Sequence, residues 1–442
     1  MRCWSVGLMM ISAALIAPPV YADEAVPLNA KDAKAIFAEA HALCEADHGQ
    51  LWGVSLCGPV LLVDPVTREV VASEADAAGV LRDRDGVFAG TLPKDVLIAN
   101  TTLSWSGVRW IQYLWPLPND ELHRRILLVH ESFHRIQDQL GLPAANPDNP
   151  QLDSKDGRYD LQLEWRALAA ALNAESDADR RARVADALTF RADRYRRFAG
   201  AEATEIALER NEGLAEYTGV VLGTSTAEQR KAMALNDLQA HVRDPSFVRS
   251  FAYATGPAYG LLLDMYRTTW RDELGKSDGP AQLLAQAMGI SLSKAPSARD
   301  VARLAARYDG VALDKAETIR QQARDRLLAK YRGMFVTGHT LVVLLKHPRV
   351  QFDPRNLVPM GDHGTVYPTF QVSDDWGHLE VEQGCLLAND WSQVTVAAPS
   401  DAGANSAHGA GWKLDLAPGW KLLPGSKAGE VTVSKSDPGP SH

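Results

Sequence analysis

The stretch LLVHESFHRIQDQLGLP, residues 127–143, sets His130 and His134 four positions apart around Glu131. The apolar run that carries it has helical spacing, so both imidazoles project from one helical face, one turn above the other. Two imidazole nitrogens placed in this way can grip a single tetrahedral zinc ion. Glu131 follows the first histidine directly and swings toward the open position of such an ion rather than onto it. A carboxylate there can take a proton from an attacking water. The preceding RRILLV also predicts burial of both histidines, and buried polar groups cost free energy unless something satisfies them.

A catalytic zinc takes three protein ligands and keeps one position open, so a third ligand is needed from elsewhere. In TEIALERNEGLAEYTG, residues 204–219, Glu205, Glu209, Glu212 and Glu216 fall at i, i+4, i+7 and i+11, one stripe on a helix. Four like charges so stacked are destabilising. Either arginines oppose them on a solvated face, or part of the stripe faces a cation, and HESFH upstream favours the cation. Glu164 in LQLEWRAL is a rival third ligand that lies nearer in sequence.

HESFH followed on a second helix by Asn211-Glu212, with Glu216 four residues later, resembles the gluzincin zinc metallopeptidases, the thermolysin and aminopeptidase N families among them. The resemblance implies a zincin-like core in which His130, His134 and Glu212 bind zinc and Glu131 activates water. It also implies that Glu216 accepts a hydrogen bond from the outer nitrogen of a zinc-bound histidine. SFAYATGPAYGLLLD, residues 250–264, resembles the YxxG segment of the aminopeptidase N family, where the tyrosine donates to the oxyanion. That residue is Tyr253 here, with Tyr259 as the fallback. The resemblance is confined to these three short motifs. Two departures stand out. Seventy-seven residues separate His134 from Glu212, which an inserted helical hairpin at 161–198 would account for. No GxMEN-like segment precedes HESFH, so the implied activity on peptide or protein substrates is that of an endopeptidase. A non-catalytic binding protein on the same fold and a zinc hydrolase of non-peptide substrates are the alternatives.

Outward from the motif, residues 1–22 read as a signal peptide: Arg2, an apolar core too short to span a bilayer, and small residues before the cut. The expectation is an exported chain with no further membrane-spanning segment. Residues 23–118 predict a helix and a small antiparallel sheet, in which DPVTRE turns a hairpin between VLLV and VVAS. IANTTLSWSGVRWIQYLW, residues 98–115, is the candidate edge strand for an extended substrate. Residues 119–334 read as successive amphipathic helices, 335–432 as an all-β domain of sandwich type, and 433–442 as a disordered tail. The expected fold class is therefore α+β. Cys44 and Cys57 are the natural disulfide pair, which leaves Cys385 as a buried thiol. A net charge of −9 argues against a nucleic-acid binder. The one basic run, DRRARVADALTFRADRYRRF, has interleaved acids and reads as a solvated helix face.

Overall fold

A computed structural model of the chain describes residues 27–93, 96–275, 278–291, 296–352 and 357–435. The signal-like segment 1–22 lies outside the described residues. The fold is α+β, with a helical region joined to a small sheet and followed by an all-β region.

The chain enters through α1 (Ala30–Asp47), capped by Asn29, whose side chain accepts the Asp32 N–H. The Cys44–Cys57 disulfide ties its last turn to the following segment. Six strands come next: β1 (Val60–Val63), β2 (Glu69–Ala72), β3 (Arg82–Arg84), β4 (Val87–Thr91), β5 (Thr101–Trp105) and β6 (Val108–Leu114). They form one sheet in the order β3-β4-β2-β1-β6-β5. The β1–β2 hairpin forms as expected, its turn held by Asp64, which accepts the N–H groups of Val66 and Thr67. The expected antiparallel sheet needs one correction, because β1 and β6 pair in parallel. The four strands between them bring the chain back to its starting direction beside β1. Ser106 and Gly107 both take positive φ and close the β5–β6 hairpin, leaving β5 at the sheet edge.

Helix α2 (Glu121–Ile136) carries the histidines. Asp120 caps it by accepting the His123 N–H, and Glu121 opens the first turn where the helix dipole favours an anion. One face packs Leu127, Leu128 and Val129 against Ile111, Tyr113 and Trp115 of the sheet. The Tyr113 hydroxyl donates to the Leu128 carbonyl at 2.7 Å, which fixes the depth of the helix above the sheet. The other face turns Phe133 and Ile136 into the main helical core.

That core is built by α3 (Lys155–Asn173), α4 (Asp177–Arg197), α5 (Ala201–Leu208), α6 (Leu214–Gly223), α7 (Ala227–Ala240), α8 (Phe251–Tyr266), α9 (Pro280–Ala287) and α10 (Ala298–Ala305). Ser154, Ser176, Thr226 and Ser297 cap four of them. The span 202–222 is not one regular helix. Between α5 and α6, residues Glu209–Gly213 form a π-bulge, with the Leu214 N–H bonded to the Glu209 carbonyl. Close crossings hold this segment. A Cβ on Gly219 would lie 2.8 Å from the Ile126 carbonyl oxygen, and one on Gly256 would overlap the backbone of Gly213.

The last helix, α11 (Gly310–Arg332), crosses the boundary between two compact units, which meet at Glu317 and Thr318. The boundary expected at 334 falls earlier for a physical reason. Leu313 belongs to the helical core and Glu317 pairs with buried Arg158 at 2.6 Å. Tyr331 and Phe335 instead pack on Val358, Val366 and Leu386. In the second unit a seven-stranded and a six-stranded sheet share one core, with Leu341 and Val343 of one facing Val372 and Leu379 of the other. Cys385 is a buried free thiol within that core. The final strand runs from Glu430 to Lys435, and the rest of the expected tail, 436–442, lies outside the described residues.

Candidate metal centre

His130 and His134 are 1% and 7% exposed, and Glu212 is 1% exposed. The Nε2 atoms of the two histidines stand 3.2 Å apart. Glu212 Oε2 lies 3.5 Å from His130 Nε2 and 3.7 Å from His134 Nε2. An ion with ligand bonds of 2.0–2.1 Å in tetrahedral array separates its ligands by about 3.4 Å. The three side chains therefore fit a metal ion.

The outer nitrogens of the two rings are already committed. His130 Nδ1 donates to Glu216 Oε2 at 2.8 Å, and His134 Nδ1 to Gln137 Oε1 at 2.9 Å. With a proton on each Nδ1, both Nε2 lone pairs and the Glu212 carboxylate face one small space. Three acceptors facing one another repel unless a proton or a cation sits among them. The ionisations follow from this crowding. Burial pulls His130 down, but the Glu212 and Glu216 carboxylates outweigh it and lift the ring to about 10. Burial pushes Glu212 up, and the two histidines with Arg249 overcome it, holding the carboxyl well below the usual range.

Around these groups the chain builds a closed frame. Gln137 Nε2 donates to Asn211 Oδ1 at 2.9 Å, and Asn211 Nδ2 to Glu212 Oε1 at 3.1 Å. Arg249 Nη2 donates to the same Oε1 at 3.2 Å. The Tyr253 hydroxyl donates to Glu212 Oε2 at 2.5 Å, and its ring stacks on His130 with the planes 4° apart. Glu131 is 1% exposed and its Oε2 has no hydrogen-bond partner. Burial raises its pKa against the pull of both histidines.

The bulge explains which glutamates arrive here. One extra residue in a helical turn rotates everything downstream by about 100° relative to an unbroken helix. The stripe expected from sequence is thereby split into two pairs. Glu212 and Glu216 meet the histidines, while Glu205 and Glu209 turn toward α4. There Arg194 binds Glu205 at 2.7 Å and Arg191 binds Glu209 at 2.5 Å. The basic run is consequently a solvated face only in part, since Arg191 and Arg194 are 3% and 0% exposed while Arg181 and Arg196 stand in solvent. Glu164 belongs to this second cluster. Its Oε1 accepts from Arg191 at 2.8 Å and from the Tyr259 hydroxyl at 2.7 Å, and its Oε2 accepts from Arg194 at 2.8 Å. The geometry thus brings Glu212 to the histidines and leaves both Glu164 and Tyr259 with the arginines.

Comparison with family models, curated proteins and solved structures finds no match to this chain. The reading of the centre rests on its own geometry. Gln137 and Arg249 were not anticipated. Gln137 could have been found, because it lies three residues beyond His134 on the same helical face. Arg249 could not, because only the turn leading into α8 brings it over Glu212. Among the described residues, two other groupings carry ligand-type atoms close together, His41-Cys44-Glu45-Cys57 and His347-Asp374-Asp375. In the first, both sulfurs are in the disulfide. In the second, Asp374 is already taken by the backbone N–H groups of Lys346, His347 and Asp375.

Proposed function

We propose that this chain is an exported zinc-dependent peptidase of the endopeptidase type, with His130, His134 and Glu212 as the metal ligands. The observation that carries the reading is the buried trio of acceptor atoms, 3.2–3.7 Å apart, with an unpartnered carboxylate beside it. Two imidazoles and one carboxylate, with a fourth position open, form a donor set suited to catalytic zinc. When bound, zinc would supply Lewis acidity to a water and to a substrate carbonyl.

The chain's own residues supply the remainder. Glu216 and Gln137 hold the two rings with Nε2 inward, fixing the tautomer that can bind a cation. Glu131 Oε2 takes the proton of the attacking water and passes it to the leaving amine, a task that favours a carboxylate of raised pKa. Tyr253, whose hydroxyl donates to Glu212 Oε2 in the resting arrangement, would turn from that carboxylate to donate to the oxygen that develops charge. Strand β5, whose outer edge has no partner strand among the described residues, offers backbone groups to an extended substrate. The Cys44–Cys57 disulfide fits the oxidising compartment that export implies. A non-catalytic zinc-binding role has no use for Glu131, whose buried, unpartnered oxygen is costly to maintain.

The test is a digest of a complex peptide library by the mature protein and by Glu131→Ala, beside a metal count on both. The expected result is about one zinc per chain in each and internal cuts by the wild type alone, with a rate loss of at least about 100-fold in the variant. Absence of metal from the purified wild type after zinc loading would overturn the reading. So would cuts that persist unchanged in Glu131→Ala.

A further inference from the structure

The charged groups bonded into the centre are sealed from solvent with one exception. Side chains of His130, His134, Glu212 and Glu216 are 1–6% exposed, whereas that of Arg249 is 26% exposed. Arg249 makes one bond, from Nη2 to Glu212 Oε1 at 3.2 Å. Its other guanidinium donors have no protein partner among the described residues. A guanidinium retained only to neutralise Glu212 would be expected to grip the carboxylate with two parallel bonds. Glu212 has little need of it, since Asn211 already serves Oε1 and Tyr253 already serves Oε2. Arg249 therefore stands at the rim of the centre with a planar set of donors left over, a few ångströms from where a scissile carbonyl would sit.

We infer that Arg249 anchors a substrate carboxylate close to the bond that is cut, so that the preferred substrates are peptides with an anionic group next to that bond. This inference rests on the peptidase reading for its substrate class. A guanidinium takes a carboxylate in a bidentate, directional way that a lysine ammonium cannot copy. In a peptide the carboxylate comes from an aspartate or glutamate side chain or from the chain terminus. The unsealed face of Arg249 is open to either source.

The experiment compares matched peptides in two arms on the zinc-loaded full chain. One arm sets Asp or Glu against Asn or Gln on either side of the cut; the other sets a free C-terminus against its amide. The readout is the ratio of kcat/KM for acid over amide, which cancels any general loss of activity. The wild type is expected to favour the acid by about tenfold or more in at least one arm, mainly through KM, as a charge-assisted hydrogen bond should. The arm that shows the preference identifies the source. In Arg249→Met the ratio falls to near one, and Arg249→Lys recovers part of it. A wild type with no preference in either arm overturns the inference, as does a preference that survives in Arg249→Met. A second readout does not need turnover. Calorimetric titration of the zinc-loaded wild type with N-benzoylglycine and with its amide should show tighter binding of the acid, and Arg249→Met should abolish the difference. Equal binding of acid and amide overturns the anchor whatever the activity. A difference that depends on Arg249 in a protein that cuts no peptide removes the peptidase reading and keeps the anchor.

Discussion

Glu205 and Glu209, on the first half of the bulged helix, are met by guanidiniums, while Glu212 and Glu216, on the second half, are met by imidazoles. Both pairs are buried to 3% exposure or less, and both would be ruinous without compensation. The compensation differs in kind. Arg191 and Arg194 are cations at any pH the protein meets, so the first cluster draws its compensating charge from the chain itself. The second cluster contains no permanent cation except Arg249 at its rim, and its histidines carry charge only through a proton that a metal ion can replace. One half of the helix is a finished structural joint and the other is a receptor for positive charge.

The comparison breaks most severely if Glu212→Ala still holds metal. The variant should lose stable zinc binding outright, read as metal content after dialysis, and its melting temperature should no longer respond to a chelator. In the wild type, chelation should lower the melting temperature, because a ligand bound only by the folded state stabilises it by mass action. Arg194→Met tests the other half. It leaves Glu164 and Glu205 short of a buried cation and should cost about 3–5 kcal/mol, measured by denaturant unfolding. The chelator response should survive, because the histidine side is intact. Glu216→Ala should weaken zinc binding by roughly 10–100-fold, as loss of a partner to a ligand's outer nitrogen does. Competition against a chelator of known affinity measures this.

The smallest expected effect lies at the margin of the arginine side. Asp160 is fully buried, and neither of its oxygens has a hydrogen-bond partner. Burial lifts its carboxyl from 3.8 to about 7, against the pull of Arg197 and Arg194. The folded state therefore binds this proton more tightly than the unfolded chain does, and stability falls as pH rises between those two values. Asp160→Asn should raise the melting temperature by a few degrees at pH 8 and by almost nothing near pH 4. A uniform shift at both would show that Arg197, 3.6 Å away, compensates Asp160 in full.

Much of this is legible in the sequence. The i, i+4 histidines and the apolar run around them define α2, because each is a local pattern with a local cause. Glu212 is legible as one member of an acidic stripe, and only the resemblance to the gluzincins singles out its pairing with Asn211. The division of the glutamate stripe was hidden, since counting positions on a regular helix assumes 3.6 residues per turn throughout. Nothing in ERNEG announces the extra residue; Gly213 against Gly256, a contact distant in sequence, makes room for it. The arginines of α4 were misjudged because a solvated ion-pair face and a buried one have the same charge periodicity. Only Glu164 and Tyr259, arriving from other helices, decide between them.

The bulge has a consequence for anyone who sets out to make this protein more robust. An uninterrupted helix from Ala201 to Gly223 would regain regular hydrogen bonding, so deleting one residue from Glu209–Gly213 is the change that a search for thermostability would favour. Deletion between Glu209 and Glu212 would leave Glu212 and Glu216 six and ten positions after Glu205 on a regular helix, about 240° and 280° around it, the side they already hold in the bulged chain. The shortened chain would regain its helical hydrogen bonds and still present both carboxylates to the histidines. The extra residue could then be removed without emptying the histidine pair.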